Sequence, residues 1–239
     1  MPPATYRLLR VQRRRNREGV TQPATCTIEG VLKFDSEEAP HCVYNEQVAA
    51  NLARVLQVPV ADGILASTGD GPAYASLLLE SPGVPLPDVG GRRIGEVVAA
   101  YPEQAAALVV FDILTGNWDR GANMKAALVS PHIRLFQAFD HSHCLLGARP
   151  TDTESIAALG NGELIVEQHP FYGRGDGRRV TLWAERIAAL PDYAIEGCCR
   201  MGRTFRAVTE DMQAQLADAL IRRRRTITQI VAAAPIMAR

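Results

Sequence analysis

The stretch Gly116-Asn-Trp-Asp-Arg-Gly-Ala-Asn-Met-Lys125 constrains this 239-residue chain most, because it sets a dense run of polar groups between two hydrophobic elements. Before it, Glu103 to Leu114 reads as a buried helix of Ala, Leu, Val and Phe, with Pro102 suited to the first turn and Gly116 to the end. After it come two short strand-like pieces, Ala126 to Val129 and Arg134 to Phe139. Ser130-Pro-His forms the turn between them, and Asp140 follows the second directly. A loop that only reverses the chain does not need this many hydrogen-bonding groups against apolar neighbours.

The segments around this motif divide by pattern. Thr25 to Phe34 reads as two β-prone pieces around Glu29-Gly30, a hairpin whose second strand carries Lys33. Asn45 to Leu56 has apolar residues at 48, 49, 52, 55 and 56, the spacing of an amphipathic helix. Ile64 to Ala66 and Tyr74 to Leu79 are strand candidates around a Gly69-Asp-Gly-Pro turn. The Pro- and Gly-rich stretch Ser81 to Gly91 then marks a change to helical signals. Residues 1–85 are therefore expected to form a small strand-rich lobe and residues 86–239 a larger helical one. Further on, Thr151 to Gly160 reads as a helix and residues 161 to 180 as a long loop around a strand Glu163 to Val166. Leu182 to Leu190 and Thr209 to Ala234 read as helices.

Composition bounds the class. Twenty-six basic residues balance 26 acidic ones and 47% of the chain is hydrophobic, which excludes a disordered tail protein and weakens any reading that needs a strongly basic surface. No apolar run is long enough to span a bilayer and no signal-peptide pattern opens the chain, so a cytoplasmic protein without membrane insertion is expected. The five cysteines lack CxxC spacing and read as buried or half-buried thiols rather than a zinc site. Local basic clusters, Arg7 to Arg17 and Arg222 to Arg225, can neutralise phosphates. No recognition-helix or zinc-finger spacing accompanies them, which argues against nucleic acid as a partner.

Several side chains fit one chemistry. Asp119 can accept a proton from a hydroxyl, and Asn123, four residues later, can present a carboxamide oxygen to a divalent ion. The following hairpin can return Asp140 close to Asn123. Two such oxygens plus water and phosphate oxygens commonly hold Mg²⁺, and transfer of a terminal phosphoryl group needs such a site. Lysine occurs only at Lys33 and Lys125, so each of these positions invites a role that arginine does not fill. Lys33, on a strand facing a cleft, can contact the nonreacting phosphates of ATP, with Glu46 on the following helix holding its ammonium. The strand from Tyr74, ending at Glu80, is the natural hinge for an adenine.

The order Lys33, Glu46, hinge, Asp119-x-x-x-Asn123, hairpin, Asp140 carries a resemblance. Ile113-Leu-Thr-Gly-Asn-Trp-Asp-Arg-Gly-Ala-Asn and Phe136-Gln-Ala-Phe-Asp-His-Ser-His resemble the catalytic and metal loops of the HipA-like kinases and the related phosphatidylinositol kinases. The resemblance, covering about Thr21 to Leu146, implies an α+β, two-lobed protein-kinase-like fold and an ATP- and Mg²⁺-dependent phosphotransferase. By it Asp119 is the catalytic aspartate, Asn123 and Asp140 are metal ligands, and Lys33, Glu46 and Glu80 serve the nucleotide. A protein serine or threonine is the first expectation for the acceptor, a small-molecule or lipid hydroxyl the alternative.

Two other readings stand beside this one. The step from Asp119 to Asn123 is one residue shorter than the family's usual spacing, and the segment from Arg17 to Thr25 is poor in glycine. Both features suit a pseudokinase or nucleotide-dependent binding module. His141 and His143, with Asp140 and His132, also suit a transition-metal site. The Gly162 to Gly177 loop, with His169-Pro-Phe-Tyr, is a candidate for acceptor recognition.

Overall fold

The computed structural model describes residues 5–6, 8–13, 24–77, 79–80, 86–128 and 135–236, without side chains at 5, 6, 13, 79 and 80. Small antiparallel sheets come first in the chain. Strand β1 (Thr5–Tyr6) pairs with β7 (Leu79–Glu80), and β2 (Leu8–Arg13) pairs with β3 (Ala24–Ile28). Strands β4 (Gly30–Lys33), β5 (Gly63–Thr68) and β6 (Gly71–Leu77) form a sheet in the order β4-β6-β5. The β5–β6 hairpin turns at Gly69-Asp70, as its turn residues predict.

The expected hairpin between β3 and β4 does not form. Only Glu29 separates the two strands, fewer residues than the two that the tightest hairpin loop needs. The chain changes partner there instead, β3 going to β2 and β4 to β6, so that Lys33 lies opposite Tyr74.

Helix α1 (Cys42–Leu56) packs on β5 and β6, and its Val43, Val48, Leu52 and Leu56 are buried. It begins three residues before Asn45, where the sequence pattern places its start. The Asp35 carboxylate, from the preceding loop, accepts the Val43 N–H at 2.8 Å and satisfies a donor that the helix itself leaves open.

The remaining helices are α2 (Arg93–Ala100), α3 (Pro102–Thr115), α4 (Asp152–Gly160), α5 (Gly177–Ala188), α6 (Asp192–Cys199) and α7 (Glu210–Ala233). Helix α3 is buried from Ala105 to its end and stops where Gly116 takes a left-handed φ of 68°. Helix α7 packs against α3, α4, α5 and α6. Thr151 caps α4 with a capping box to Glu154, so this helix falls where the sequence places it. Helix α6 was not anticipated. Helix α5 starts earlier than expected because Asp176 caps it, accepting the Arg178 and Arg179 N–H groups.

Three further expectations are corrected. The hairpin after the polar loop pairs Met124–Ala126 (β8) with Phe136–Ala138 (β9), closer to the loop than predicted; residues 129–134, with Ser130-Pro-His132, lie outside the described residues. No strand forms at 163–166, where side chains rather than a neighbouring strand take the backbone: Arg223 donates to the Glu163 carbonyl and the Tyr172 hydroxyl to that of Val166. The Arg222 to Arg225 run is not an exposed basic patch. Arg223 is fully buried, its guanidinium donating to the carbonyls of Ile113, Leu159 and Glu163, while Arg224 and Arg225 pair with Asp192. Of the other cluster, Arg7, Arg14, Arg15 and Arg17 lie outside the described residues.

Four of the five cysteines are buried, Cys26 is exposed, and all are free thiols. No single helix among the described residues is long and apolar enough to cross a membrane.

Candidate active site

The strand sheet meets helix α1 and the segment after β9 at Lys33. Its Nζ lies 2.6 Å from Glu46 Oε1 and 2.9 Å from Asp140 Oδ1, joining β4, α1 and the segment after β9. Burial alone would push the lysine's pKa down. The two carboxylates outweigh it, so the pKa lies above its ordinary value and Lys33 stays charged. Burial likewise opposes the charge on Asp140, but Lys33 and two hydrogen bonds from Ser142 bring the carboxyl down to about 2.

Asp140 sits at φ 60°, a left-handed conformation that aspartate and asparagine tolerate better than other side chains. Lys33 and the Ser142 hydroxyl both converge on its Oδ1, leaving Oδ2 outside that pair. The β8–β9 pairing continues one step toward the loop, with the Phe139 N–H donating to the Asn123 carbonyl at 3.0 Å. That bond holds Asn123 beside Asp140.

The short Asp119 to Asn123 step is accommodated by a turn. The Asn123 N–H donates to the Arg120 carbonyl at 2.9 Å, with Gly121 at a positive φ of 32°. Within this turn Asn123 Nδ2 donates to the Asp119 carbonyl at 3.0 Å. The amide nitrogen is thereby occupied and Oδ1 is the free end of the side chain. An amide oxygen and a carboxylate are hard donors of the kind that hold Mg²⁺, so the residues present fit that ion.

A cavity of about 420 Å³ opens here. Val31, Ala61, Leu77 and Phe139 give it apolar walls, and Lys33, Asn123, Lys125 and Asp140 supply polar groups. Its size and mixed lining are those of a small-molecule site. Of the predicted residues, Lys33, Asn123 and Asp140 are brought together on this wall, and Glu46 lies buried behind Lys33. Asp119 is exposed at the start of the loop and does not line the cavity. The Glu80 side chain lies outside the described part of the structure. A larger groove of about 630 Å³, lined by His41, Trp118, His143 and Arg149 among others, contains none of Lys33, Asn123 or Asp140. The cavity that holds those three is the candidate active site.

Beneath the loop lies a buried polar network that was not read from the sequence. Asp112, in the middle of apolar α3, receives two hydrogen bonds from the Arg120 guanidinium, both at 2.8 Å. It also receives one from Asn117 at 3.1 Å and one from His169 at 3.0 Å. Burial opposes the Asp112 charge, yet Arg120 and His169 hold its pKa well below the usual carboxylate range. Arg120 reaches His141 Nε2 at 2.9 Å; a guanidinium only donates, so that nitrogen accepts and the ring is neutral. The signal available in the sequence was Asp112 itself, a lone acid inside an apolar helix that must find a buried partner.

These positions overturn one expectation and narrow another. His141 is buried against Arg120 while His143 lies against Trp118, and the described residues contain no cluster of His, Cys, Asp and Glu able to hold a metal ion, so the transition-metal reading loses its ligand set. His132 lies outside the described residues. Within the Gly162 to Gly177 loop, His169 is turned inward. It is buried, accepts the Phe171 N–H on Nδ1 and donates from Nε2 to Asp112.

The two buried histidines set a pH dependence. Burial, reinforced by Arg120, holds His141 down to about 3, and burial also lowers His169. Below the ordinary value of 6.5 the unfolded chain protonates them while the folded chain does not, so stability present above 6.5 is lost as the pH falls. For His141 the slope approaches about 1.4 kcal/mol per pH unit below 6.5, and His169 adds to it in the same direction. Urea unfolding midpoints are expected to drop between pH 7 and pH 5, and His141→Phe should flatten the drop.

No protein-family model matches the sequence, and no curated protein matches it. Solved structures do. A proinflammatory kinase of Helicobacter pylori, CtkA, superposes with a TM-score of 0.61 at 14% identity, over 94% of this chain and 95% of that one. HipA of the Shewanella oneidensis toxin–antitoxin system, solved with HipB and operator DNA, gives a TM-score of 0.56 at 16% identity, over 98% of this chain and 66% of that one. At these identities the likeness is one of fold: the chain has the two-lobed α+β fold of the HipA-like kinases.

Proposed function

We propose that the protein is an ATP-dependent phosphotransferase of the HipA-like kinase type, moving the γ-phosphoryl group to a hydroxyl. The observation that carries this reading is the convergence of Lys33, Asn123 and Asp140 on one 420 Å³ cavity, with Glu46 fixed behind the lysine. In this reading the apolar walls take the base and Lys33 lies against the nonreacting phosphates. Mg²⁺, held by Asn123 and Asp140, would supply positive charge at the phosphates. Asp119 takes the proton from the acceptor hydroxyl as its oxygen bonds to the γ-phosphorus and ADP leaves.

The exposure of Asp119 supports an acceptor presented from outside, and a serine or threonine on a protein surface fits that better than a small molecule enclosed in the cavity. The short catalytic step, though accommodated by the turn, gives the second reading its motive: a binding module that takes nucleotide without transferring phosphate.

Calorimetric titration with ATP and Mg²⁺, followed by turnover assays on protein substrates, tests both readings. Binding that weakens about tenfold or more in Lys33→Met is expected, since a charge-assisted phosphate contact is lost. Absence of any nucleotide binding at millimolar ATP with Mg²⁺ would sink both. Binding without transfer to any supplied acceptor would favour the second.

A further inference from the structure

Arg120 is fully buried, and its five polar contacts go to two loops and a helix. Nε and Nη2 grip the Asp112 carboxylate of α3 at 2.8 Å each. Nη1 donates to the Asn123 carbonyl at 3.1 Å and to the Phe139 carbonyl at 2.7 Å, and Nη2 also reaches His141 at 2.9 Å. The first carbonyl belongs to one proposed metal ligand. The other two contacts bracket the second proposed ligand, Asp140, from the residue before it and the residue after it.

A planar fork with fixed donor directions can hold three separated acceptors in one arrangement, which a single ammonium cannot. Asp112 sits in the buried part of α3, so the guanidinium has a rigid base. Glu46 closes the circuit from the far side, its Oε1 accepting both the His141 N–H at 2.8 Å and the Lys33 ammonium. The backbone at Asp140 is left-handed, a conformation that persists where its surroundings over-determine it.

We infer that Arg120 is a positioning residue that locks the Asn123 loop and the Asp140 segment into one unit, so that both proposed ligand side chains are placed together or lost together. The metal-ligand roles rest on the phosphotransfer reading; the locking of the two loops does not.

Hydrogen–deuterium exchange of the ligand-free protein separates the two. In Arg120→Lys, which keeps a positive charge beside Asp112, residues 119–124 and 139–144 should lose protection together. The Mg²⁺ midpoint for ATP binding should rise by about tenfold or more, the usual effect of removing a group that orients a metal ligand. A defect of general packing would instead lower the melting temperature without moving that midpoint. His141→Phe, which leaves the Asp112–Arg120 pair in place but removes one of the guanidinium's acceptors, should loosen both segments together to a smaller degree and serves where the lysine variant does not fold. Unchanged exchange, or exchange that rises in only one segment of Arg120→Lys, overturns the inference. If wild type binds no ATP with Mg²⁺ while the two segments still loosen together, the phosphotransfer reading fails and the lock stands.

Discussion

Asp119→Ala should abolish measurable phosphate transfer while leaving ATP binding and stability near wild type. A positioned general base contributes about a hundred- to ten-thousand-fold to rate. Asp119 is exposed and does not line the nucleotide cavity, so its truncation removes no buried contact there. Exposed substitutions of this kind change stability by about 0.5 kcal/mol or less. The comparison requires turnover, ATP affinity and a thermal melt on the same preparation. Turnover within about tenfold of wild type would remove Asp119 from the role of base. Lost ATP binding would mean that the loop shapes the cavity more directly than its lining indicates.

Asp112→Ala is expected to be the most damaging single change to the fold. It leaves the Arg120 guanidinium buried without its carboxylate and takes acceptors from Asn117 and His169 as well. Breaking a buried pair by removing one partner costs about 3–5 kcal/mol. For a chain of this size that corresponds to a fall in Tm on the order of 10 °C. Asp112→Asn should cost less, because the amide oxygen still accepts one of the hydrogen bonds. A melt of Asp112→Ala within about 2 °C of wild type would show that the network adds little to stability.

The candidate site was more legible than its support. Lys33, Asn123 and Asp140 were readable because polar groups at fixed spacing stood out against apolar elements. The helix Pro102–Thr115 was readable for the complementary reason, being apolar throughout and bracketed by proline and glycine. The role of Arg120 was not, since nothing local says that an arginine in an exposed-looking loop turns inward to meet an acid eight residues back. The β3–β4 error has the same origin. Strand propensity marks which residues extend, while the choice of partner across Glu29 depends on strands far away in sequence. The arginine run of α7 misled because charge was counted without knowing which side of the helix faces three carbonyls.

Both side-chain amines of this chain, Lys33 and Lys125, open on one cavity. An amine-directed acylating reagent, usually indiscriminate, therefore finds no lysine elsewhere to modify. Lys33 is held protonated between two carboxylates and lacks the lone pair that acylation needs. Lys125, 3.9 Å from Asp88 and with a side chain 37% exposed, is the more reachable of the two. The chain thus carries its own handle: covalent labelling at Lys125, located by peptide mapping so that the α-amine is counted apart, reports whether the cavity is filled.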